Sequence, residues 1–173
     1  MGLILKVNFI RSELQLMKNI FFPEDEISKD DLYFVCYMIE RIARLLKQPN
    51  HYVVNHIGHD GLAKKLSLAS VLHSINPKAT ESDWIKEYDL HPGDYDILNV
   101  DTELCPHVPT ATQMGKVYKR LILNTIHTNE NYADAIIRVY NNPICRVIDN
   151  YNTGAYYEPS PYIARSFFAG GFV

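Results

Sequence analysis

Much of what commonly marks an enzyme or a membrane protein is missing from this chain. No apolar run approaches the roughly 20 residues that a membrane-spanning helix needs. Only three cysteines occur, Cys36, Cys105 and Cys145, far apart and with neither a CxxC pair nor the Cys/His spacing of a zinc site. Such usage gives no disulfide framework, so a reducing, cytoplasmic setting is the expectation. The signatures GxSxG, GxxxxGK[ST] and HExxH are absent. Charge of one sign is lacking too: 17 Lys and Arg stand against 20 Asp and Glu, a net charge of -3. That argues against a general nucleic-acid binder, although a local basic patch stays open. No convincing set of alternating strands appears, so the fold class is read as all-α, a compact multi-helix single domain. Its 173 residues are enough to bury a core.

What the chain does have is tyrosine, 12 in all. A tyrosine joins an apolar ring to a polar tip, so the excess suits either an interaction surface or a core with hydrogen-bonded edges.

The strongest helical signal lies between Ser28 and Pro77. Leu32, Val35, Cys36, Ile39, Ile42, Ala43 and Leu46 recur at i, i+3, i+4 and i+7, one face of a helix. Asp30, Glu40, Arg41, Arg44 and Lys47 are assigned to the opposite, solvent face. Ser28 and Asp31 form an N-terminal capping pair, and Pro49 stops the helix. A short helix is expected from Asn50 to about Ile57, ended by Gly58, with a turn at Gly61. A further helix covers Leu62 to Leu72 and closes at Asn76-Pro77.

The segment YFVCYMIERIARLLKQ, followed by HYVVNHIGHDGL and LASVLHS, resembles a small uncharacterised bacterial helical domain family. Its members are often encoded beside ADP-ribosyltransferase-like toxin genes. The matching positions are Phe34, Val35, Ile39, Ala43, Leu46, Val53, Gly61, Leu62, Val71, Leu72 and His73, about a third of the chain and mostly core. The longer chain also resembles uncharacterised proteins of gut-type anaerobes. The resemblance implies a helical fold and a toxin-associated setting, with an ADP-ribosyltransferase-like toxin as the implied partner. It supplies no catalytic residue.

Further along, Thr80 to Leu90 reads as a helix with Thr80 and Asp83 as its capping pair. Residues 91–94 form a turn and 95–109 an irregular connection, the candidate for a hinge or a surface-packed loop. Thr110 and Gln113 open a second strong helix, in which Gly115 suggests close approach of another helix. Stripes follow from Tyr132 to Tyr140 and from Ile144 to Tyr151, and Ser160-Pro161 caps a closing helix that ends at Gly170-Gly171. The organisation expected is an arm or extension over 1–27 and one domain over 28–173, in two helical units (28–77 and 110–173). The first ten residues are apolar except where Lys6 and Asn8 interrupt them. They lack a basic start and a cleavage site, so no signal peptide is expected, and Met17 reads as a natural start.

Candidate sites are few. His56, His59 and Asp60, with His51 nearby, could hold a metal. The His-Asp doublet resembles that of metal-dependent phosphohydrolases, but the helix before it carries no histidine, and capping of the next helix by Asp60 is the favoured reading. GAYYEPSPYIARSFFAG resembles an ADP-ribosyltransferase segment in which a Gly-x-Tyr-Tyr strand enters a helix, which would place Tyr156 and Tyr157 in a nucleotide pocket. A closing helix packing Tyr162, Ile163, Phe167 and Phe168 is favoured instead. Lys64 and Lys65 would face DNA were residues 50–72 a helix-turn-helix. Asp94/Asp96 and Asp101/Glu103 lack the fixed spacing to a third cation ligand. The expectation is a non-catalytic protein-binding accessory module without a cofactor. Tyr95, Tyr156, Tyr157 and Tyr162 are its candidate partner contacts. A metal-dependent or nucleotide-binding enzyme and a DNA-binding regulator are the alternatives, and self-association stays open.

Overall fold

The computed structural model describes residues 17–173, and within them the chain is all-α, with seven α-helices and no strand. The expectations for residues 1–16 lie outside the described residues. Residues 17–27, expected to belong to an arm, are docked on the domain. Asn19 Nδ2 donates to the Ser67 carbonyl at 2.7 Å, the Ile20 amide donates to Ser67 Oγ, and Ile27 is fully buried.

Helix α1 (Lys29–Leu46) opens with the expected capping box, in which Ser28 Oγ accepts from the Asp31 amide and the Asp31 carboxylate accepts from the Ser28 amide. Such a cap stabilises a helix by about 1 kcal/mol. α1 is the central element. It packs against α2 (Asn50–Leu72), α3 (Pro77–Glu87) and α4 (Ala111–Thr125). Because helices cover it on more than one side, its buried arc is wider than a single stripe, and Phe34, Met38 and Glu40 are buried beside the expected positions. Glu40, assigned to the solvent face by its charge, is fully buried.

α2 is two helical stretches joined by a kink at Gly58, whose φ of 71° and ψ of 177° suit glycine alone. The break expected at Gly58 is there. The turn expected at Gly61 is not, because Gly61 is helical and lets the Tyr88 ring and Ile57 press against the backbone. Asn76-Pro77 does not merely end a helix but starts α3: Asn76 Oδ1 accepts from the Lys78 amide and Pro77 occupies the first turn. Thr80, expected as a cap, lies inside α3 and is buried.

The α4 capping box of Thr110 and Gln113 forms as expected. Gly115 meets α1 directly, since a Cβ there would lie 3.0 Å from Tyr37 Cα. α5 (Tyr132–Tyr140), capped by Asn131, packs on α2 and α4, and α6 (Ile144–Ile148) follows. Two 3-10 turns, Tyr151–Thr153 and Ala155–Tyr157, lead into α7 (Ser160–Ala169), which packs on α4. Ser160 is the first residue of α7 and not its cap; its hydroxyl accepts from Asn124 Nδ2 instead. Gly170, at φ 81°, ends the helix.

The irregular connection is packed onto the domain. The amides of Gly93 and Tyr95 donate to the Leu46 and Lys47 carbonyls, which answers the unpaired C-terminal carbonyls of α1. Ile97 and Cys105 anchor it in the core.

Candidate functional site

The core is crossed by a polar network of α1, α2, α4 and the segment after α6. Glu40 Oε1 accepts from Arg44 Nε at 3.0 Å and from the Tyr151 hydroxyl at 2.5 Å, while Glu40 Oε2 accepts from Asn50 Nδ2 at 2.9 Å. Asn50 Nδ2 also donates to Asp149 Oδ2, and Asp149 Oδ1 accepts from the Tyr118 hydroxyl at 2.5 Å. Arg44 Nη2 reaches on to the Pro109 carbonyl and the Tyr151 hydroxyl.

Removing two carboxylates and a guanidinium from water costs several kcal/mol per ion unless charges and hydrogen bonds compensate. Arg44 answers one carboxylate. The other, Asp149, is held well above the usual carboxylate range by burial and by the Glu40 charge, which outweigh the donors Tyr118, Asn50 and Arg44. Burial and the neighbouring Glu40 therefore bias Asp149 toward its neutral form. The same burial pushes the Tyr118, Tyr140 and Tyr151 hydroxyls up, and it pushes the Cys36 thiol up to about 12. Tyr118 and Tyr140 stack at 4.2 Å between ring centres.

Beside this network opens a cavity of about 280 Å³. Pro49, Tyr95 and Tyr140 wall it, Asp149 and Cys145 lie at its buried side, and His51, Asn142 and Arg146 complete it. Two buried polar atoms of the core around the network are unanswered. Asn50 Oδ1 has no partner, and the Tyr140 hydroxyl rests against the Cys36 thiol, a poor acceptor, without a well-formed hydrogen bond. His51 is held below the usual histidine range by burial and by the Arg146 charge. Tyr95 is raised by burial and then by the Asp149 and Glu40 carboxylates.

A second concavity, about 240 Å³, lies between α4 and the chain leading into α7. Val117, Leu121 and Ile163 form its apolar wall. Gln113, Lys116 and Arg120 line it from α4, and Tyr156, Tyr157, Glu158 and Ser160 from the other side. Tyr157 is 86% exposed. Neither Lys116 nor Arg120 belongs to an ion pair among the described residues.

The four tyrosines singled out in the sequence thus divide. Tyr156 and Tyr157 share the second concavity, and Tyr95 lines the first. Tyr162 ties down the chain end, packing on Phe172 and donating to the Val173 carbonyl. Tyr156 and Tyr157 lie in a 3-10 turn, not in the strand that the ADP-ribosyltransferase segment would require. Of the closing-helix residues, Ile163 and Phe167 pack inward while Phe168 is exposed.

The histidine cluster does not converge. His56 Nδ1 contacts the Tyr52 carbonyl at 2.7 Å and its ring stacks on Tyr52, whereas His59 Nδ1 pairs with Asp134 at 2.7 Å. Asp60 is exposed, and among the described residues no three His, Cys, Asp or Glu side chains are placed to hold one metal ion. Asp96 and Asp101 fold onto amides two residues on, those of Leu98 and Glu103, as ordinary turns do. Lys64 and Lys65 both pair with Glu87, and Lys65 is buried over Trp84 and Tyr88.

Glu40, Arg44, Asn50 and Asp149 escaped the sequence reading, whereas Tyr118 and Tyr151 fall on the inward stripes expected of them and are buried. Glu40 follows Ile39 and lies four residues after Cys36, on the shoulder of the apolar stripe, and that position is the one local signal it carried. Comparison with protein-family models, curated proteins and solved structures finds no match to this chain. No helix of the described residues is long and apolar enough to cross a membrane.

Proposed function

We propose that this protein is a non-catalytic binding module whose concavity between α4 and α7 takes an acidic segment of another protein. One observation carries the reading. Tyr157, 86% exposed, stands beside two cations outside any ion pair among the described residues, Lys116 and Arg120, over an apolar wall. A large aromatic held in water beside two cations resembles the aromatic and basic anchors that dominate protein interfaces. The complementary partner carries carboxylates for the two cations and an apolar group for the wall. The family resemblance of residues 28–77 supplies the specific form of this reading, a toxin- or mobile-element-associated accessory whose partner is an ADP-ribosyltransferase-like toxin.

A displayed library of random peptides tests the binding mode. Selected peptides should be rich in Asp and Glu around an apolar residue. They should lose about tenfold or more in affinity for Lys116→Glu/Arg120→Glu and for Tyr157→Ala. Peptides that bind these variants as tightly as the parent, or a failure to select any, would overturn the assignment.

A further inference from the structure

The occupant that the α4–α7 concavity calls for, carboxylates beside an apolar group, has a counterpart on this chain's own surface. Residues 20–26 are all exposed, and they set Phe21 and Phe22 directly before Pro23 and three consecutive acids, Glu24, Asp25 and Glu26. The two rings are 48% and 44% exposed. None of the three acids belongs to an ion pair among the described residues. Exposed apolar groups gathered together and rimmed by charge mark contact surfaces.

The loop that carries them is held in shape. The Asn19 amide donates to the Asp25 carbonyl and the Ile27 amide to the Met17 carbonyl, which closes its base. The Phe21 and Phe22 amides both donate to Asn19 Oδ1 at 2.9 Å. Asn19 Nδ2 on the Ser67 carbonyl and the buried Ile27 fasten that base to α2 and the core. A segment presented in a fixed shape gives up little conformational freedom on docking. Because it is fastened to α2, no residue of the loop lines the concavity of its own chain. That concavity sets two cations, Lys116 and Arg120, against one carboxylate, Glu158, over the wall of Val117, Leu121 and Ile163. Its excess positive charge and its apolar wall complement the acids and the rings of the loop.

We infer that the 20–26 loop of one copy docks in the α4–α7 concavity of a second copy, its carboxylates on Lys116 and Arg120 and a phenylalanine ring on the apolar wall. The inference rests on the reading of that concavity as a site for an acidic segment, and it names the segment. The two patches are unlike, so the contact builds rings or open chains unless two copies close on each other.

Sedimentation equilibrium of the full chain tests it, from about 1 μM to about 1 mM, because a contact made by one loop belongs to the weak class. The apparent mass should rise with concentration. Glu24→Gln/Asp25→Asn/Glu26→Gln and Phe21→Ser/Phe22→Ser alter the loop, and Lys116→Gln/Arg120→Gln alters the concavity, all at exposed positions. Each variant should associate about tenfold or more weakly than the parent. Mixed in equal amounts, the chains with the neutralised loop and the neutralised concavity should pair with the parent's affinity and stop at 1:1, since one intact loop and one intact concavity remain. A chain that stays monomeric throughout would overturn the inference. Acidic peptides that still bind at Lys116 and Arg120 would then leave the proposed function standing with a foreign partner, and their absence would remove both. Association that these variants leave unchanged, or a mixture that fails to pair, would also overturn it by placing the contact elsewhere.

Discussion

Truncating Glu40 probes the polar core most directly. Glu40→Ala would remove the acceptor of three donors at once, namely Arg44 Nε, Asn50 Nδ2 and the Tyr151 hydroxyl. Arg44, whose side chain is 15% exposed, would keep its charge with no carboxylate beside it. Breaking a buried pair from one side costs about 3–5 kcal/mol. The Arg44 contacts to the Pro109 carbonyl and Tyr151 persist and place the expectation toward the lower half of that range. For a chain of this length each kcal/mol moves Tm by about 2–4 °C, so a fall of about 6–16 °C is expected in a calorimetric or circular-dichroism melt. Arg44→Met in the same background separates charge from packing. With the orphaned guanidinium gone, the double variant Glu40→Ala/Arg44→Met should recover part of the loss, though Asn50 and Tyr151 still lack their acceptor. A Glu40→Ala melt within about 2 °C of the parent would refute the reasoning, because it would mean that water already answers those donors. A double variant less stable than the sum of the singles would refute the charge argument in particular.

Other consequences follow from single contacts. Gly115→Val should destabilise the α1–α4 contact by about 1–3 kcal/mol, since its Cβ meets the Tyr37 backbone and not a movable side chain, and urea melts would read the change in midpoint. Gly58→Ala has open space around it, yet its backbone conformation suits glycine alone, so a cost of about 1–3 kcal/mol from strain is expected in the same assay. Asp149 has a raised value in the folded state. Its contribution to stability is therefore fully present below the unfolded value of about 4 and is lost as pH climbs toward the folded one. Asp149→Asn should flatten that decline in melts taken from pH 4 upward, and parallel curves for parent and variant would contradict it. All three cysteines are buried, with Cys36 pushed up to about 12 and Cys145 also raised by burial, so thiol reagents at pH 8 should label the native chain far more slowly than the unfolded one.

The helices were legible because their signals are local. The Ser28–Asp31 and Thr110–Gln113 boxes, the break at Gly58 and the stripes of α1, α4 and α5 each depend on neighbours within a few residues, where backbone hydrogen bonding and side-chain spacing act. Gly115 even announced a close contact, though not with which helix. The site was not legible. Glu40 and Arg44 look like solvent-facing charges in any reading of one helix, and they are inward only because α2 and α4 cover α1 on more than one side. The acceptors and donors that make their burial tolerable come from Asn50, Asp149 and Tyr151, as much as 111 positions away. The histidine cluster shows the converse. His56 and His59 lie three residues apart, yet the first turns to Tyr52 and the second to Asp134. Sequence alone therefore determined the all-α class and the main helix boundaries. Tertiary structure alone decided which charges lie inside and which cavity they face, because burial and electrostatic pairing are properties of surfaces that meet only when the chain folds.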